Sequence, residues 1–373
     1  MKQIRDSLTP EQAWHLLQSA TRMPVENRAT VTALDHCLSQ DQEASEDVPP
    51  GPRSFMDGYA VRAADVSAAP VRLKVVEDIA MGKVASRTLA AGEAMSIPTG
   101  GFLPEGADAV VMQEQSELIS ERDGRSVLIK RSLAAGENVQ SRAEDFRKGD
   151  VLFAAGHRLR PQDIAALATF GIASVSVHRK PRIHILSTGD ELVDHTDKGK
   201  MREQIRESNS LALSGAAQRF LFETQSGGII PDDPNIQRAA IEQAMRDCDV
   251  ILISGGSSVG ARDYTMQVIQ SFSPHTILFY GLAIRPGNPT IFAQAGKTWI
   301  FGLPGQPVSS LIVFYQFVLP FLFHISGEMI SYQRFPHVKL STVEARLSAQ
   351  IVPLQSKTDY VRLRLQWQEN EWI

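Results

Sequence analysis

Residues 251–264 read ILISGGSSVGARDY, an apolar strand that runs into a glycine–serine loop and then reaches an acid, Asp263. Residues 302–310 read GLPGQPVSS, a second strand end that turns into a helix. Backbone N–H groups, hydroxyls and the positive end of the next helix then face one point, which suits an anion. Because ligands of open α/β sheets bind where strands end, this pair favours a phosphorylated or oxyanionic ligand with a divalent metal over a simple tight turn.

The composition limits the class of protein. The chain has 373 residues, of which 43% are hydrophobic and 21% charged, which predicts a globular protein of roughly two to four domains. The net charge of −4 gives no electrostatic case for a nucleic-acid partner. Two cysteines, Cys37 and Cys248, are too few for a disulfide framework and favour a reducing, cytoplasmic location. The apolar run 311–325 is short for a membrane span, so a core helix opened by Pro307 is predicted and no membrane partner is expected.

The first half of the chain carries helical patterns at its ends and strand patterns between them. Residues 9–12 read TPEQ, which predicts a helix start with a capping box, and residues 30–38 carry a second helical pattern. A further helix is predicted to open at Pro161 and to end before Gly171. After a proline-rich break at 41–52, short strands predict a small β-rich domain. These strands are 71–76, 109–112 and 127–129.

Residues 182–325 alternate between strand and helix patterns, which predicts a parallel sheet with helices on both faces. The predicted strands are 182–187, 250–254, 276–279 and 298–301. The predicted helices are 209–220, 235–246, 264–271 and 308–325. Further on, residues 360–367 read YVRLRLQW, a strict alternation that predicts a strand with one buried face.

Four loop segments carry side chains suited to chemistry. Asp57 lies in the glycine turn MDGYA and Thr99 in a loop rich in glycine and proline, where a surface turn and an ordinary hairpin are the alternatives. Glu191 lies in STGDEL, at the end of a predicted strand. Asp232 and Asp233 lie in IIPDDP, where Asp233 is placed to cap the next helix and Asp232 is the freer carboxylate. Acids on separate loops at strand ends predict a Mg²⁺ site, because Mg²⁺ prefers carboxylate, water and phosphate oxygens as ligands. A zinc site is not predicted, because the histidines and cysteines are scattered along the sequence.

Taken together, these segments resemble the MoeA family, the molybdopterin molybdenumtransferases that include the E domain of gephyrin. The resemblance follows the family's order from the N-terminus to about residue 330. The similar segments are 56–60, 99–106, 143–145, 187–192, 229–234, 254–264 and 302–309. The resemblance implies a multidomain α/β and β fold with a doubly wound molybdopterin-binding α/β domain. The implied domains are a helical domain (1–45 and 142–180), an inserted β domain (46–141), the α/β domain (181–330) and a partial C-terminal β-barrel domain (331–373).

The resemblance also implies an activity, the insertion of molybdate into adenylylated molybdopterin with Mg²⁺-dependent release of AMP. It implies a homodimer whose site lies between the α/β domain of one subunit and the β domain of the other, with other molybdenum cofactor proteins as further partners. The implied catalytic residues are Asp57, Thr99, Glu191, Asp232 and Asp263, of which Asp232 and Asp263 would be metal ligands. The implied cofactor-binding residues are Ser254, Gly255, Gly256, Ser257, Ser258, Gly260, Arg285, Pro304 and Pro307.

The chain departs from the family pattern where anions are expected to bind. The family carries Phe-x-Lys, three residues and then Lys-Pro-Gly-Lys-Pro, whereas residues 279–289 read FYGLAIRPGNP. Gly281 and Asn288 replace two of the lysines, and Arg285 replaces the third with a charged planar fork. Gln306 stands where the family usually has asparagine.

Two functions therefore compete. In the first, the chain is a working transferase in which Arg285 anchors the anion. In the second, it is a weakened or non-catalytic molybdopterin-binding paralogue that acts as a carrier or regulator. A third function, phosphoanhydride hydrolysis of the CinA type, is disfavoured by the β domain around Asp57.

Overall fold

The structure is a computed structural model, which describes residues 7–122, 124–255, 259–330, 342–352, 356–368 and 371–372. The chain divides into two compact units. The α/β unit comprises Met1–Gln40, Ala155–Ala168 and Ile172–Ile373, and the β unit comprises Asp41–Ala154 and Thr169–Gly171. The division into four domains implied by the family resemblance stays a prediction.

The described residues contain seven α-helices, of which the first begins with the predicted capping box. Thr9 Oγ1 accepts from the Gln12 backbone N–H at 3.2 Å, and Gln12 Oε1 accepts from the Thr9 N–H at 3.0 Å. The helices are α1 (Pro10–Gln18), α2 (Pro161–Thr169), α3 (Asn209–Gln218), α4 (Pro234–Ala244), α5 (Val259–Gln270), α6 (Pro307–Val313) and α7 (Leu319–Ile325). The strands are β1 (Val25–Ala29), β2 (Gln42–Glu43), β3 (Arg53–Ser54), β4 (Gly58–Val61), β5 (Val71–Asp78), β6 (Glu93–Ile97), β7 (Ala109–Met112), β8 (Ser116–Glu121), β9 (Gly124–Ile129), β10 (Val139–Gln140), β11 (Val151–Phe153), β12 (Ser174–His178), β13 (Ile183–Thr188), β14 (Leu192–Val193), β15 (Ile205–Arg206), β16 (Thr224–Ile230), β17 (Val250–Gly255), β18 (His275–Tyr280), β19 (Ile284–Arg285), β20 (Ile291–Ala295), β21 (Thr298–Leu303), β22 (Thr358–Asp359), β23 (Trp367–Gln368) and β24 (Glu371–Trp372).

The central sheet of the α/β unit has the order β16-β13-β17-β21-β20-β18. The first four strands are parallel, but β20 runs antiparallel to both β21 and β18. The prediction of a parallel sheet is therefore correct for β16, β13, β17 and β21 but wrong at one edge. The cause is a two-residue turn at Gly296 and Lys297 between β20 and β21, because a connection this short can join only antiparallel strands. Gly296 has a φ of 58°, a left-handed conformation that glycine adopts without strain.

The two faces of this sheet bury different residues, because neighbouring side chains on a strand point to opposite sides. Leu252 and Phe301 pack in one apolar cluster with helices α1, α3, α6 and α7. Ile251 and Ile300, one position before each of them, pack in a second cluster with α4 and α5. Helices therefore cover both faces, which confirms the predicted doubly wound α/β arrangement.

One helical stretch among the described residues, Pro307–Ile325, is long and apolar enough by length and composition to cross a membrane. It consists of α6, a π-helical turn and α7. However, 67% of the most apolar part of this stretch is buried inside the protein. The ring of Phe321 lies edge-on to the sheet residues Phe292 and Phe301, with centroids 5.1 and 5.3 Å apart. The stretch therefore serves as a core helix of this fold, as the sequence predicts.

The β unit is built on a second six-stranded sheet, with the order β7-β4-β6-β5-β9-β8. Only the β5–β6 pair in this sheet is parallel. Tyr59 and Val61 of β4 pack in one apolar cluster, whereas Ala60 between them packs in another with Met95. The sheet thus buries both faces, and the predicted β-rich character of this region is confirmed.

Two sequence predictions about secondary structure are wrong. Of the predicted helix at 30–38, the structure has only the 3₁₀ turn Thr30–Thr32, and Cys37 and Leu38 instead make isolated bridges to Arg158 and Val177. Of the predicted strand at 360–367, the residues 360–366 form no strand, and residues 361–367 are exposed. The predicted C-terminal barrel stays unconfirmed.

Candidate functional site

A pocket of about 290 Å³ lies at the carboxyl ends of the parallel strands in the α/β unit. Thr188 ends β13 and Gly255 ends β17, and both line the pocket together with the turn after β21. A Cβ on Gly255 would lie 2.9 Å from Thr188 Oγ1, so glycine allows the two strand ends to approach closely. The pocket therefore occupies the predicted position, where the loops after neighbouring strands converge.

Several predicted residues contribute directly to this pocket. Glu191, Ser254, Gly255 and Pro307 all line it. Pro307 is the first residue of α6. Proline suits this position because the first N–H groups of a helix have no partner within it and because the proline ring fixes φ near the helical value. Pro304 is buried directly after β21. The structure thus brings together predicted residues that lie far apart in the sequence.

Two further polar residues of the pocket, Glu207 and Asn209, were missed by the sequence analysis. Glu207 is only 7% exposed. Its carboxylate accepts from Ser187 Oγ at 2.9 Å, and from the backbone N–H and Oγ of Ser210 at 2.8 and 2.6 Å. Asn209 is the first residue of α3, and its Nδ2 donates to Ser254 Oγ and to the Gly305 carbonyl, both at 2.7 Å. The available signal was the run Glu-Ser-Asn, residues 207–209, at the start of a predicted helix.

Three acids lie together beside the pocket. The Asp232 backbone N–H donates to Asp190 Oδ1 at 3.0 Å, and Glu191 lines the pocket. Burial raises the pKa of Asp232, and the charges of Asp190 and Glu191 raise it further. Asp232 Oδ1 is buried without a hydrogen-bond partner among the described residues. Asp233 instead caps α4, accepting from the N–H groups of the next two non-proline residues at 2.8 and 3.0 Å, as predicted.

In the β unit, the predicted residues Asp57 and Thr99 are adjacent. Asp57 Oδ1 accepts from the Thr99 backbone N–H at 2.8 Å, and both residues are exposed. Asp57 directly precedes Gly58, the first residue of β4, where a Cβ would overlap with the Val111 carbonyl oxygen of the paired strand β7. The glycine of MDGYA is therefore required for strand pairing, which in turn holds Asp57 beside Thr99.

The three positions at which the family carries lysines have defined surroundings in this chain. Arg285 forms an ion pair with Asp359, whose carboxylate lies 2.9 Å from Nε and 3.0 Å from Nη2. Gly281 has a φ of 98°, a region that disfavours lysine. Asn288 Nδ2 donates to the Leu282 carbonyl at 2.6 Å and to Ser7 Oγ at 3.1 Å. Gly281 and Asn288 thus have structural roles in the segment 281–288. The role of Arg285 as an anion anchor stays a prediction.

The remaining predicted residues lie between positions 256 and 263. Gly256, Ser257 and Ser258 lie outside the described residues. Gly260 is in the first turn of α5, and Asp263 belongs to the same helix, but its side chain lies outside the described part of the chain. Within the described part, no three acidic, histidine or cysteine side chains converge into a complete metal site.

Two protein families match this chain. The MoeA N-terminal region (domains I and II) matches residues 8–171, and the probable molybdopterin binding domain matches residues 184–324. Together the two matches cover the β unit and the pocket.

Relatives and solved structures agree with these matches. The molybdopterin molybdenumtransferase of Bacillus subtilis (strain 168) is 37% identical over 300 residues, which cover 78% of this chain and 68% of the relative. The molybdopterin molybdenumtransferase of Haemophilus influenzae is 33% identical over 305 residues, which cover 82% of this chain and 74% of the relative. The crystal structure of the molybdopterin biosynthesis MoeA protein from Pyrococcus horikoshii OT3 is similar with a TM-score of 0.79 and 30% identity, over 98% of this chain and 89% of that one. The chain therefore belongs to the MoeA family of molybdopterin molybdenumtransferases, as its motifs implied.

Proposed function

We propose that this chain is a working molybdopterin molybdenumtransferase in molybdenum cofactor biosynthesis, which inserts molybdate into adenylylated molybdopterin and releases AMP. The observation that carries the proposal is the convergence of Glu191, Ser254 and Gly255 at one pocket, with Asp232 beside it. Its relatives carry the name of this enzyme, which supports a transferase over a carrier or regulator. The family match over residues 8–171 likewise supports it over a CinA-type hydrolase.

Mg²⁺ is part of the proposal, and the side chains fit it. Asp232 has a buried carboxylate oxygen without a hydrogen-bond partner among the described residues, and the charges of Asp190 and Glu191 act on it, which is an environment that suits a divalent cation. Mg²⁺ characteristically binds one or two carboxylates and completes its coordination with phosphate oxygens and water. We therefore propose Asp232 as a ligand, with Asp263 as the second. When bound, Mg²⁺ would neutralise negative charge on the phosphate that leaves with AMP.

Other residues would bind and orient the substrate. The hydroxyl of Ser254 and the backbone around Gly255 would hold polar groups of the ligand at the strand ends. Arg285 would contribute positive charge to molybdate or phosphate oxygens, provided that it exchanges its Asp359 partner for the ligand. We further propose a cytoplasmic location, which suits two buried cysteines. Burial raises the pKa of Cys248 to about 12, so this thiol stays protonated and unreactive.

The proposed reaction is tested by measuring AMP release from adenylylated molybdopterin. We expect Mg²⁺-dependent release that is accelerated at least about tenfold by molybdate, because release is coupled to insertion. Chelation of Mg²⁺ is the control and should abolish it. Release at the same rate without molybdate would identify a hydrolase, and binding without release would identify a carrier.

We also propose that the active form is a homodimer in which Asp57 of one subunit serves the ligand bound near Asp232 of the other. Asp57→Ala and Asp232→Ala homodimers should then each be inactive. A mixture refolded together in equal amounts should recover roughly a quarter of the parent activity, because half of the dimers are mixed and each has one intact site of two. Activity no greater than that of either variant alone, or a monomer in light scattering, would contradict the shared site.

A further inference from the structure

The start of α3 connects three strand ends of the pocket. Glu207, just before the helix, accepts from Ser187 of β13 and from Ser210 in the first turn of α3. Asn209, between them in sequence, donates to Ser254 of β17 and to Gly305 in the turn after β21. A single short segment therefore contacts the ends of three neighbouring strands.

The Asn209 contacts lie at the point where the pairing of β17 with β21 ends. The parallel pairing of β17 and β21 ends at Ser254 opposite Leu303, and β21 then continues into the turn that contains Gly305 and lines the pocket. Asn209 Nδ2 contacts both segments, with one hydrogen bond of 2.7 Å to Ser254 Oγ and one of 2.7 Å to the Gly305 carbonyl. It thus connects the two segments at the end of their pairing, and Ser254, Gly305 and Asn209 itself all line the pocket.

The orientation of the Asn209 amide follows from the chemistry of its partners. The Gly305 carbonyl can only accept a hydrogen bond, so the NH₂ group of Asn209 must face it. Asn209 Oδ1 then points away from Gly305 and is buried without a partner among the described residues. Aspartate, which has nearly the same shape, cannot make the Gly305 contact when ionised, because two oxygens would face each other.

We infer that Asn209 is a positioning residue for the proposed transferase reaction, which holds the end of β17 and the turn after β21 at a fixed separation. The inference rests on the proposed function for its kinetic consequence only. Misplacement of a binding turn by about 1 Å can lower a rate by about 100-fold, even when the residue that moves it does not touch the reacting atoms.

The test compares Asn209→Asp with Asn209→Ala in the full-length chain. We expect kcat/KM for molybdate-dependent AMP release to fall by about 100-fold in Asn209→Asp and by about tenfold in Asn209→Ala at neutral pH. Lowering the pH from about 8 to about 5 should raise the ratio of kcat/KM in the Asp variant to that in the parent. A carboxyl group held against the Gly305 carbonyl oxygen should have a pKa above the ordinary aspartate value, and its protonated form can again donate to Gly305. The ratio for the Ala variant should not change. A merely space-filling role would make both ratios independent of pH.

Asn235→Asp is the matched control, because Asn235 also lies in the first turn of a helix, α4, but outside the pocket. It should retain the parent kcat/KM at both pH values. Hydrogen–deuterium exchange of the Gly305 and Gln306 amides gives a readout that needs no activity, and it should accelerate in both Asn209 variants. Unchanged exchange, or an Asp variant with parent kcat/KM, would overturn the inference. A parent without transferase activity but with faster exchange in the variants would instead overturn the proposed function alone.

Discussion

Replacement of Gly58 by alanine should destabilise the β unit by about 3 kcal/mol or more. Gly58 pairs with Ile97 on one side and with Met112 on the other. A Cβ at this position would overlap with the Val111 carbonyl oxygen, a backbone atom that cannot move without breaking the sheet. Hydrogen–deuterium exchange in β4, β6 and β7 should become faster in the variant, because the amides of these strands exchange when the sheet opens.

Gly51→Ala is the matched control for this prediction. It lies in the same unit, and its added Cβ would meet Phe102 at 3.7 Å, an ordinary contact. Exchange in the three strands should therefore be close to that of the parent. Equal protection in the Gly58 and Gly51 variants would show that β4 tolerates a side chain and that the glycine of MDGYA serves a purpose other than strand pairing. Because Asp57 precedes Gly58, the destabilised variant should also lose activity.

Replacement of Asp232 by asparagine should lower Mg²⁺-dependent AMP release by at least about 100-fold. Even residues that only orient a metal ligand typically contribute 10–100-fold, so loss of a proposed ligand should cost about as much or more. The measurement is the initial rate of AMP release at saturating molybdate, together with Mg²⁺ titration by calorimetry. Asp233→Asn is the matched control, because it removes the same charge one residue away while asparagine still caps α4.

The Asp232 variant should not be less stable than the parent when Mg²⁺ is absent. The raised pKa means that the folded protein holds a proton on Asp232 more tightly than the unfolded chain, so ionisation lowers stability as the pH rises through that pKa. Asparagine carries no such charge, and its thermal midpoint at neutral pH should match or exceed that of the parent. Mg²⁺ should raise the midpoint of the parent only. A variant with lower stability and parent Mg²⁺ affinity would contradict the assignment.

The sequence predicted those elements whose signals are local. The capping box at Thr9, the cap at Asp233 and the proline at the start of α6 each depend on residues within one helical turn, and all three are present. The apolar strands β13 and β17 were likewise within one residue of their predicted bounds. By contrast, residues 360–366 of the predicted strand at 360–367 form no strand, because a strand needs a partner that its own sequence does not specify.

The sequence by itself therefore determined the family, the α/β and β character of the chain and most of the loops that carry polar side chains. Only the tertiary structure decided how these loops are arranged. Glu207 and Asn209 lie in an unremarkable segment of sequence, yet their side chains join the ends of β13, β17 and β21. Likewise, Asp232 differs from Asp233 only in its surroundings, since Asp233 caps a helix and Asp232 is partly buried beside two acids. The physical reason is that hydrogen bonds and charge interactions depend on distance in space, which the order of residues along the chain does not specify.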